Sequence, residues 1–132
     1  MSLTVQALYD EFTPLQNEMA AQNLKVMHFW STGPGYFIMT EGNEIHMLAD
    51  FSGKTIRVPT PESGYTVEAL GGEPFQCGPG EVDEKFEAGL LDGTQCPTDV
   101  PKGFGWDAYV KHCTFAPFSF QFVFVKVMNT AT

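Results

Sequence analysis

Length, composition and charge limit what this chain can be. Its 132 residues are enough for one domain with its own hydrophobic core, so we predict a single domain over residues 1–132. Seven basic residues stand against 16 acidic ones, for a net charge of −9. Nucleic acids and anionic membranes are bound through basic surfaces, so neither is expected as a partner.

The N-terminal residues predict a cytoplasmic location. They lack the basic segment and long apolar run of a secretory signal peptide. No stretch reaches the roughly 18 apolar residues of a membrane-spanning helix.

The chain begins with a helical pattern from Thr4 to Gln22, where apolar side chains recur at helical spacing. Pro14 interrupts it, because proline inside a helix removes a hydrogen bond and clashes with the preceding turn. With Thr13 as an N-cap and Gln16 completing a capping box, the pattern predicts two short helices or one kinked helix, ending near Asn23.

Four strand-like runs follow, separated by short turns that predict antiparallel hairpins. The runs span Leu24–Ser31, Tyr36–Thr40, Glu44–Phe51 and Lys54–Val58. The first two are apolar on both faces, which is typical of central strands covered on both sides.

The segment from Pro59 to Trp106 differs in composition. It holds six of the nine prolines and nine of the 13 glycines, which predicts a long irregular excursion. Within it we predict a strand at Tyr65–Leu70 and a short helix at Glu81–Leu91. A further short helix is predicted at Trp106–Cys113, where apolar side chains share one helical face.

The most distinctive pattern is the run Phe118–Val127. Alternate side chains of a strand point to the same face, so this run predicts an aromatic stripe made of Phe118, Phe120, Phe122 and Phe124. Such a stripe needs packed side chains or a bound ligand against it. The whole pattern predicts an α+β fold, with a kinked N-terminal helix on a curved antiparallel sheet of about five to six strands.

Candidates for catalysis are few. His28 lies on an apolar strand face, which favours a core or cavity-lining imidazole; alternatively it acts as a general acid or base with Asp50 or Asp107 as its partner. We predict no cofactor, because the glycine-rich turns lack the pattern of a phosphate-binding loop. Glu44 and His46 share one strand face, a spacing that is common by chance, so no metal is predicted.

The single arginine and the cysteines complete the candidates. Arg57 is interpreted as a solvated edge residue or, alternatively, as a bidentate clamp for a carboxylate ligand. The odd number of cysteines argues against a disulfide framework. A single Cys77–Cys96 bridge is the alternative, which only an oxidising compartment would allow. Cys113 is expected in the core, with Cys77 as the more exposed thiol.

Three functions remain open. The first is a small-molecule binding domain, with an apolar or aromatic ligand in a cavity against the C-terminal strand. Its ligand-binding residues would be the stripe together with His28, Trp30 and Tyr36. The second is an interaction protein, such as a homodimer that buries its aromatic sheet face. The third is a small isomerase or lyase without a cofactor, using a cavity histidine.

Overall fold

A computed structural model describes residues 2–116 and 119–131. The chain divides into two compact units, Met1–Thr32 with Gln121–Thr132, and Gly33–Phe120. The single domain over residues 1–132 stays a prediction.

The first unit combines two helices with a two-stranded ribbon. The helices are α1 (Ser2–Glu11) and α2 (Thr13–Ala21), and both pack on strand β1 (Leu24–Ser31). That strand pairs antiparallel with the last strand of the chain, Val123–Asn129. The prediction of two short helices is confirmed, and so are the bounds of β1, but the predicted hairpin between β1 and the following strand is wrong.

The break between α1 and α2 has a different cap from the one predicted. Phe12 occupies the N-cap position of α2 and makes no side-chain cap, so Thr13 is already helical. The Gln16 side chain instead donates to the carbonyl oxygens of Tyr9 and Asp10, at 2.7 and 2.9 Å. These two bonds join the end of α1 to the start of α2.

The aromatic stripe does not form one sheltered strand. The last strand begins only at Val123, so Phe120 and Phe122 precede it, both half-buried. Phe124 is 44% exposed and stacks on Trp30, with ring centroids 4.6 Å apart. Phe118 lies outside the described residues. The predicted shelter is wrong for Phe124, because the ribbon is exposed along the whole of its last strand.

The second unit contains a five-stranded sheet and the chain's hydrophobic core. Its strands are β2 (Tyr36–Thr40), β3 (Thr55–Val58), β4 (Glu73–Gln76), β5 (Gly93–Cys96) and β6 (Val110–Thr114), and the final ribbon strand is therefore β7. The order across the sheet is β4-β3-β5-β2-β6. β3 runs parallel to β4 and β5, whereas β2 runs antiparallel to β5 and β6. The α+β class is confirmed, and the sheet is mixed rather than antiparallel throughout.

The region predicted as an irregular excursion consists of short regular elements. Helix α3 (Pro61–Ala69) links β3 to β4, and helix α4 (Val82–Glu87) precedes β5. Pro61 lies in the first turn of its helix, and Gly71 and Gly89 adopt left-handed backbone conformations just after α3 and α4. The proline and glycine content therefore marks the ends of helices.

Two predicted strands are wrong for local reasons. In Glu44–Phe51 the Asp50 carboxylate accepts the backbone N–H groups of His46 and Met47, at 2.8 and 2.9 Å. That cap starts a 3₁₀ helix at Leu48–Phe51. Tyr65–Leu70 falls largely in α3, because the Thr60 side chain caps the helix by accepting the Ser63 N–H.

The predicted helix at Glu81–Leu91 is confirmed in its core by α4, but the one at Trp106–Cys113 is not. Only a 3₁₀ turn forms at Trp106–Ala108, and β6 follows it. Val110 and Thr114 are β-branched and suit a strand, and β6 pairs with β2. A strand partner distant in sequence overrides the local helical spacing.

The sheet of the second unit has an apolar core on each face. On one face, Ile56 and Val58 of β3 pack with Val67 of α3. On the other, Cys96 of β5 packs with Val82 and Phe86 of α4, and with Trp106. Each face of the sheet is thus covered by one crossover helix.

Candidate functional site

The site begins with the connections around β3. The chain leaves β3 through α3 on one face of the sheet and returns to β5 through α4 on the other. Since β3 and β5 are parallel neighbours, their carboxyl ends lie side by side, and the connections that follow them lead to opposite edges of the sheet. In open α/β sheets, ligands bind in the crevice at such a switch point. The carboxyl ends of β3 and β5 are therefore our candidate binding site, and we refer to them below as the crevice.

Arg57, the penultimate residue of β3, lies at this switch point and is only 5% exposed. Its Nε and Nη2 atoms donate to the Cys77 carbonyl oxygen, at 3.2 and 3.0 Å. Among the described residues, these are the only hydrogen bonds of the guanidinium, and no carboxylate pairs with it. The interpretation of Arg57 as a solvated edge residue is wrong, because the residue is in a central strand and faces the covered side.

Trp106 supplies an aromatic wall and a second donor. The Arg57 guanidinium carbon lies 5.5 Å from the Trp106 ring centroid, within cation–π range. The indole is fully buried, and its N–H finds no hydrogen-bond acceptor in the part of the chain that the structure describes. An unpaired buried donor is costly, so its place is normally explained by a partner.

Cys96, the last residue of β5, is the third member of the crevice. Burial raises the pKa of its thiol to about 12, an effect opposed by the Thr94 hydroxyl and by the positive charge of Arg57. The thiol therefore remains protonated at neutral pH and offers a weakly polar, uncharged wall. A protonated, buried thiol supplies no nucleophile.

The structure brings few of the predicted ligand-binding residues to this crevice. Tyr36 pairs with Cys96 across β2 and β5 and packs on the same face of the sheet as Trp106. Trp30, Phe122 and Phe124 belong to the first unit. Their role in ligand binding stays a prediction.

The predicted catalytic residues do not form a constellation. His28 is exposed and lies opposite Lys126 in the ribbon, so its placement as a core imidazole is wrong. Asp50 caps the 3₁₀ turn, and its hydrogen bonds to the His46 and Met47 N–H groups lower its pKa. Asp107 is exposed. No hydrogen bond joins any two of His28, Asp50 and Asp107 within the described ranges, so the enzyme alternative gains no geometric support.

The cysteines are placed the opposite way from the prediction. Cys77 and Cys96 are buried, whereas Cys113 is exposed. All three are free thiols. Cys113 lies on β6 at the edge of the sheet, which explains its exposure.

Sequence reasoning missed most of this site for one reason. The parallel pairing of β3 and β5 joins Arg57 to residues 37 or more positions later in the chain. A strand, a capped helix and a second strand follow one another from Thr55 to Gln76. That order predicts a crossover when Thr60-Pro61 is interpreted as a helix start.

Solved structures share this architecture. A solute-binding protein from Rhodoferax ferrireducens in complex with benzoate is 23% identical, with a TM-score of 0.75 over 83% of this chain and 35% of that one. A solute receptor of Bordetella pertussis that binds pyroglutamic acid is 17% identical, with a TM-score of 0.78 over 96% of this chain and 42% of that one. A marine metagenome protein in complex with metahydroxyphenylacetate is 25% identical, with a TM-score of 0.75 over 89% and 39%.

These neighbours define the class: the fold is that of TRAP solute-binding proteins. A family model matches residues 5–132, and the chain belongs to that family, DctP, the bacterial extracellular solute-binding proteins of family 7. The chain spans 35 to 42% of the length of the three structures. No curated protein matches it.

The family corrects one prediction about location. Its members are bacterial extracellular proteins, so the predicted cytoplasmic location is wrong. None of the described helices is long and apolar enough to cross a membrane. The homodimer stays a prediction.

Proposed function

We propose that this chain is part of an extracytoplasmic solute-binding protein that binds small organic acids, with Arg57 as the clamp for the ligand's carboxylate. One observation carries this proposal. The guanidinium is almost completely buried at the switch point, yet no acidic residue of the described chain neutralises it.

The cost of this burial favours an anionic ligand. Removing a charge from water costs on the order of several kcal/mol, unless a counter-charge or hydrogen bonds offset that cost. The Cys77 carbonyl takes the Nε–Nη2 side of the guanidinium. The Nη1–Nη2 side keeps its donors for a ligand, and two parallel N–H groups match the two oxygens of a carboxylate. Backbone contact at Cys77 holds this fork in place.

The walls of the crevice favour a ring as the body of the ligand. Trp106 and Tyr36 pack on the face that carries Arg57. The ligands of the three similar structures, which are benzoate, metahydroxyphenylacetate and pyroglutamic acid, are all cyclic carboxylic acids. We therefore propose a small aromatic or cyclic carboxylic acid as the solute, which refines the predicted apolar or aromatic ligand.

The C-terminal strand remains a second candidate for the ligand's location. Trp30 and Phe124 form a stacked, half-exposed aromatic pair on the ribbon. Such a pair suits an apolar ring but offers no positive charge to a carboxylate. The crevice at Arg57 is preferred, because it combines a cation, an unpaired indole N–H and aromatic walls.

The role in transport is part of the same proposal. Neighbours of this fold are named as solute-binding proteins of TRAP transporters. We propose that the complete protein delivers its acid to a membrane transporter of that class. The negative surface charge of this chain would meet basic residues on such a partner.

Calorimetric titration with benzoate and with benzamide tests the assignment, since the two differ in charge and little in shape. We expect benzoate to bind and benzamide to bind about 10- to 100-fold more weakly, the range for hydrogen bonds to a charged group. Arg57→Lys keeps the charge but loses the fork and is expected to weaken benzoate binding similarly. Trp106→Phe keeps the packing, removes the indole N–H and is expected to have a smaller effect.

Phe124→Ala is the matched control at the other candidate location. It is expected to leave benzoate binding unchanged, and circular dichroism verifies that each variant is folded. Equal binding of benzoate and benzamide would contradict the carboxylate clamp. Loss of binding in Phe124→Ala, with binding retained in Arg57→Lys, would indicate that the ligand binds at the aromatic pair of the ribbon instead.

A further inference from the structure

The second unit carries a cluster of potential metal ligands away from Arg57. It consists of Glu41, Glu44 and His112, whose ligand atoms all lie within 4.8 Å of one another. We propose that these three side chains bind a divalent transition metal, with Zn²⁺ as the ion that best suits them. This site is independent of the proposed function in solute binding.

Three features of the fold bring the ligands together. Glu41 and Glu44 lie in the turn that follows β2, where Gly42 adopts a left-handed backbone conformation. His112 lies on β6, opposite Met39 of β2. The Thr114 hydroxyl donates to the Ile45 carbonyl oxygen at 2.6 Å and fixes the segment after the turn against β6. The backbone thus places all three residues near one another before any ion arrives.

The distances are close to those of a zinc site. His112 Nε2 lies 2.8 Å from Glu44 Oε1 and 3.8 Å from Glu41 Oε2. Zinc–nitrogen and zinc–oxygen bonds of about 2.0–2.2 Å in a tetrahedron place the ligand atoms about 3.3–3.5 Å apart. Small side-chain adjustments would satisfy that geometry, because the Glu41 side chain is 81% exposed and the Glu44 side chain 30% exposed.

The unpaired side-chain nitrogen of His112 is an independent reason to propose a metal ion here. Its Nε2 atom is buried and has no hydrogen-bond partner among the described residues. The short contact with Glu44 is an ion-pair distance, but the N–H direction does not meet the geometry of a hydrogen bond. A neutral imidazole with its Nε2 lone pair on a metal would satisfy this atom.

The surroundings leave room for the remaining coordination positions. An open cleft of about 320 Å³ lies here, lined by Glu44, His112, Thr114 and neighbouring residues. Water can complete the coordination shell from that side. Two carboxylates and a neutral imidazole balance the charge of a divalent ion, and the imidazole favours zinc over magnesium or calcium.

The competing explanation is a plain ion pair between a protonated histidine and the glutamates. The side chains of His112 and Glu41 are 38% and 81% exposed, and pairs so exposed contribute little to stability. The two explanations differ in one respect: only the metal site predicts that zinc stabilises the folded protein.

The test titrates Zn²⁺ into chelator-treated protein and follows the heat released and the melting temperature. Cobalt(II) serves as a spectroscopic probe, because tetrahedral N/O coordination gives visible absorption bands without the thiolate bands expected from cysteine ligation. We expect a single zinc site, a raised melting temperature and no comparable response to Mg²⁺. His112→Asn and Glu44→Gln are each expected to weaken binding about tenfold or more.

Matched variants outside the cluster serve as controls. His28→Asn and Glu84→Gln change the same residue types elsewhere and are expected to keep full zinc binding. Cys113→Ser tests the exposed thiol beside the cleft and is expected to keep it as well. The proposal is overturned if the unchanged protein shows no zinc response, if His112→Asn retains it, or if Cys113→Ser abolishes it. Circular dichroism of each variant separates lost binding from lost folding.

Discussion

The two units of this chain differ in how far they bury their apolar side chains. Every buried hydrophobic side chain in the described residues lies between Phe37 and Val110, within the second unit. In the first unit, α1 and α2 bury no residue, and β7 is exposed along its length. Regular secondary structure and a hydrophobic core are therefore separate properties. The first unit has regular secondary structure, and the second has regular secondary structure together with a hydrophobic core.

The connections explain the difference. The second unit places helices on both faces of its sheet, since parallel strands require crossovers. The ribbon of β1 and β7 has α1 and α2 as its covering elements. We infer that the second unit dominates the stability of the chain.

The largest expected difference in stability between the two units comes from replacing one methionine in each. Met39 of β2 is fully buried, whereas Met128 of β7 is 49% exposed. Met39→Ala should lower the free energy of unfolding by about 2–5 kcal/mol, through lost transfer energy and a cavity. Met128→Ala should change it by less than about 0.5 kcal/mol. Denaturant unfolding measures both, and equal losses would contradict the comparison.

A glycine tests how tightly the second unit is packed. A Cβ at Gly93 of β5 would collide with Met39 Sδ and would lie 2.8 Å from the Ile38 carbonyl oxygen. Gly93→Ala should therefore cost about 1–3 kcal/mol of stability.

Gly80 provides the control for that change, because a Cβ there meets nothing within 4 Å. Gly80→Ala should be neutral, or stabilising by up to about 1 kcal/mol. If thermal denaturation showed both alanine variants to be equally stable, the second unit would be looser than the structure indicates.

Helix caps give a smaller contrast between the units. Thr60 caps α3 by accepting the Ser63 N–H at 3.3 Å, and Thr60→Ala should cost about 1 kcal/mol. Thr13, at the start of α2, makes no such cap. Thr13→Ala should change the stability by less than about 0.5 kcal/mol. Urea unfolding measures the free energy of unfolding of both variants. A larger loss of stability for Thr13→Ala would indicate that Thr13 does cap α2.

At neutral pH, the thiols give the smallest effect on stability. Burial raises the pKa of Cys96 from 9.0 to about 12. Because the folded state holds this proton more tightly, its contribution to stability is complete below pH 9.0 and is lost as pH rises towards 12. At pH 8, iodoacetamide should modify Cys113 in the folded protein and reach Cys96 only on unfolding. Mass spectrometry after timed quenching checks this, and early modification of Cys96 would contradict its burial.

Local sequence signals predicted the elements that depend on local contacts. The helix break near Pro14 and the bounds of Leu24–Ser31 and Tyr36–Thr40 are set by periodicity and turn residues, and these predictions are confirmed. The pairing of strands is not local. β1 finds its partner about a hundred residues later, and no turn residue specifies that choice.

The candidate site was predictable only in part, for the same reason. From its residue type alone, Arg57, the only arginine, was predicted as a solvated edge residue, with a carboxylate clamp as the alternative. Its burial, the Cys77 carbonyl that holds it and the Trp106 indole depend on the parallel crossovers. The aromatic stripe led to a wrong prediction of burial. Alternation of aromatic residues in a sequence does not ensure that other elements cover the resulting strand.

We propose that Arg57 holds the carboxylate of a small cyclic acid. A crystal structure of the chain with 4-bromobenzoate tests it most directly, because anomalous scattering locates the bromine and so fixes the direction of the ring. We expect both carboxylate oxygens to lie within hydrogen-bond distance of Arg57 Nη1 and Nη2, with the ring against Trp106. A ligand on the Trp30–Phe124 pair, with the guanidinium still bonded only to Cys77, would contradict it.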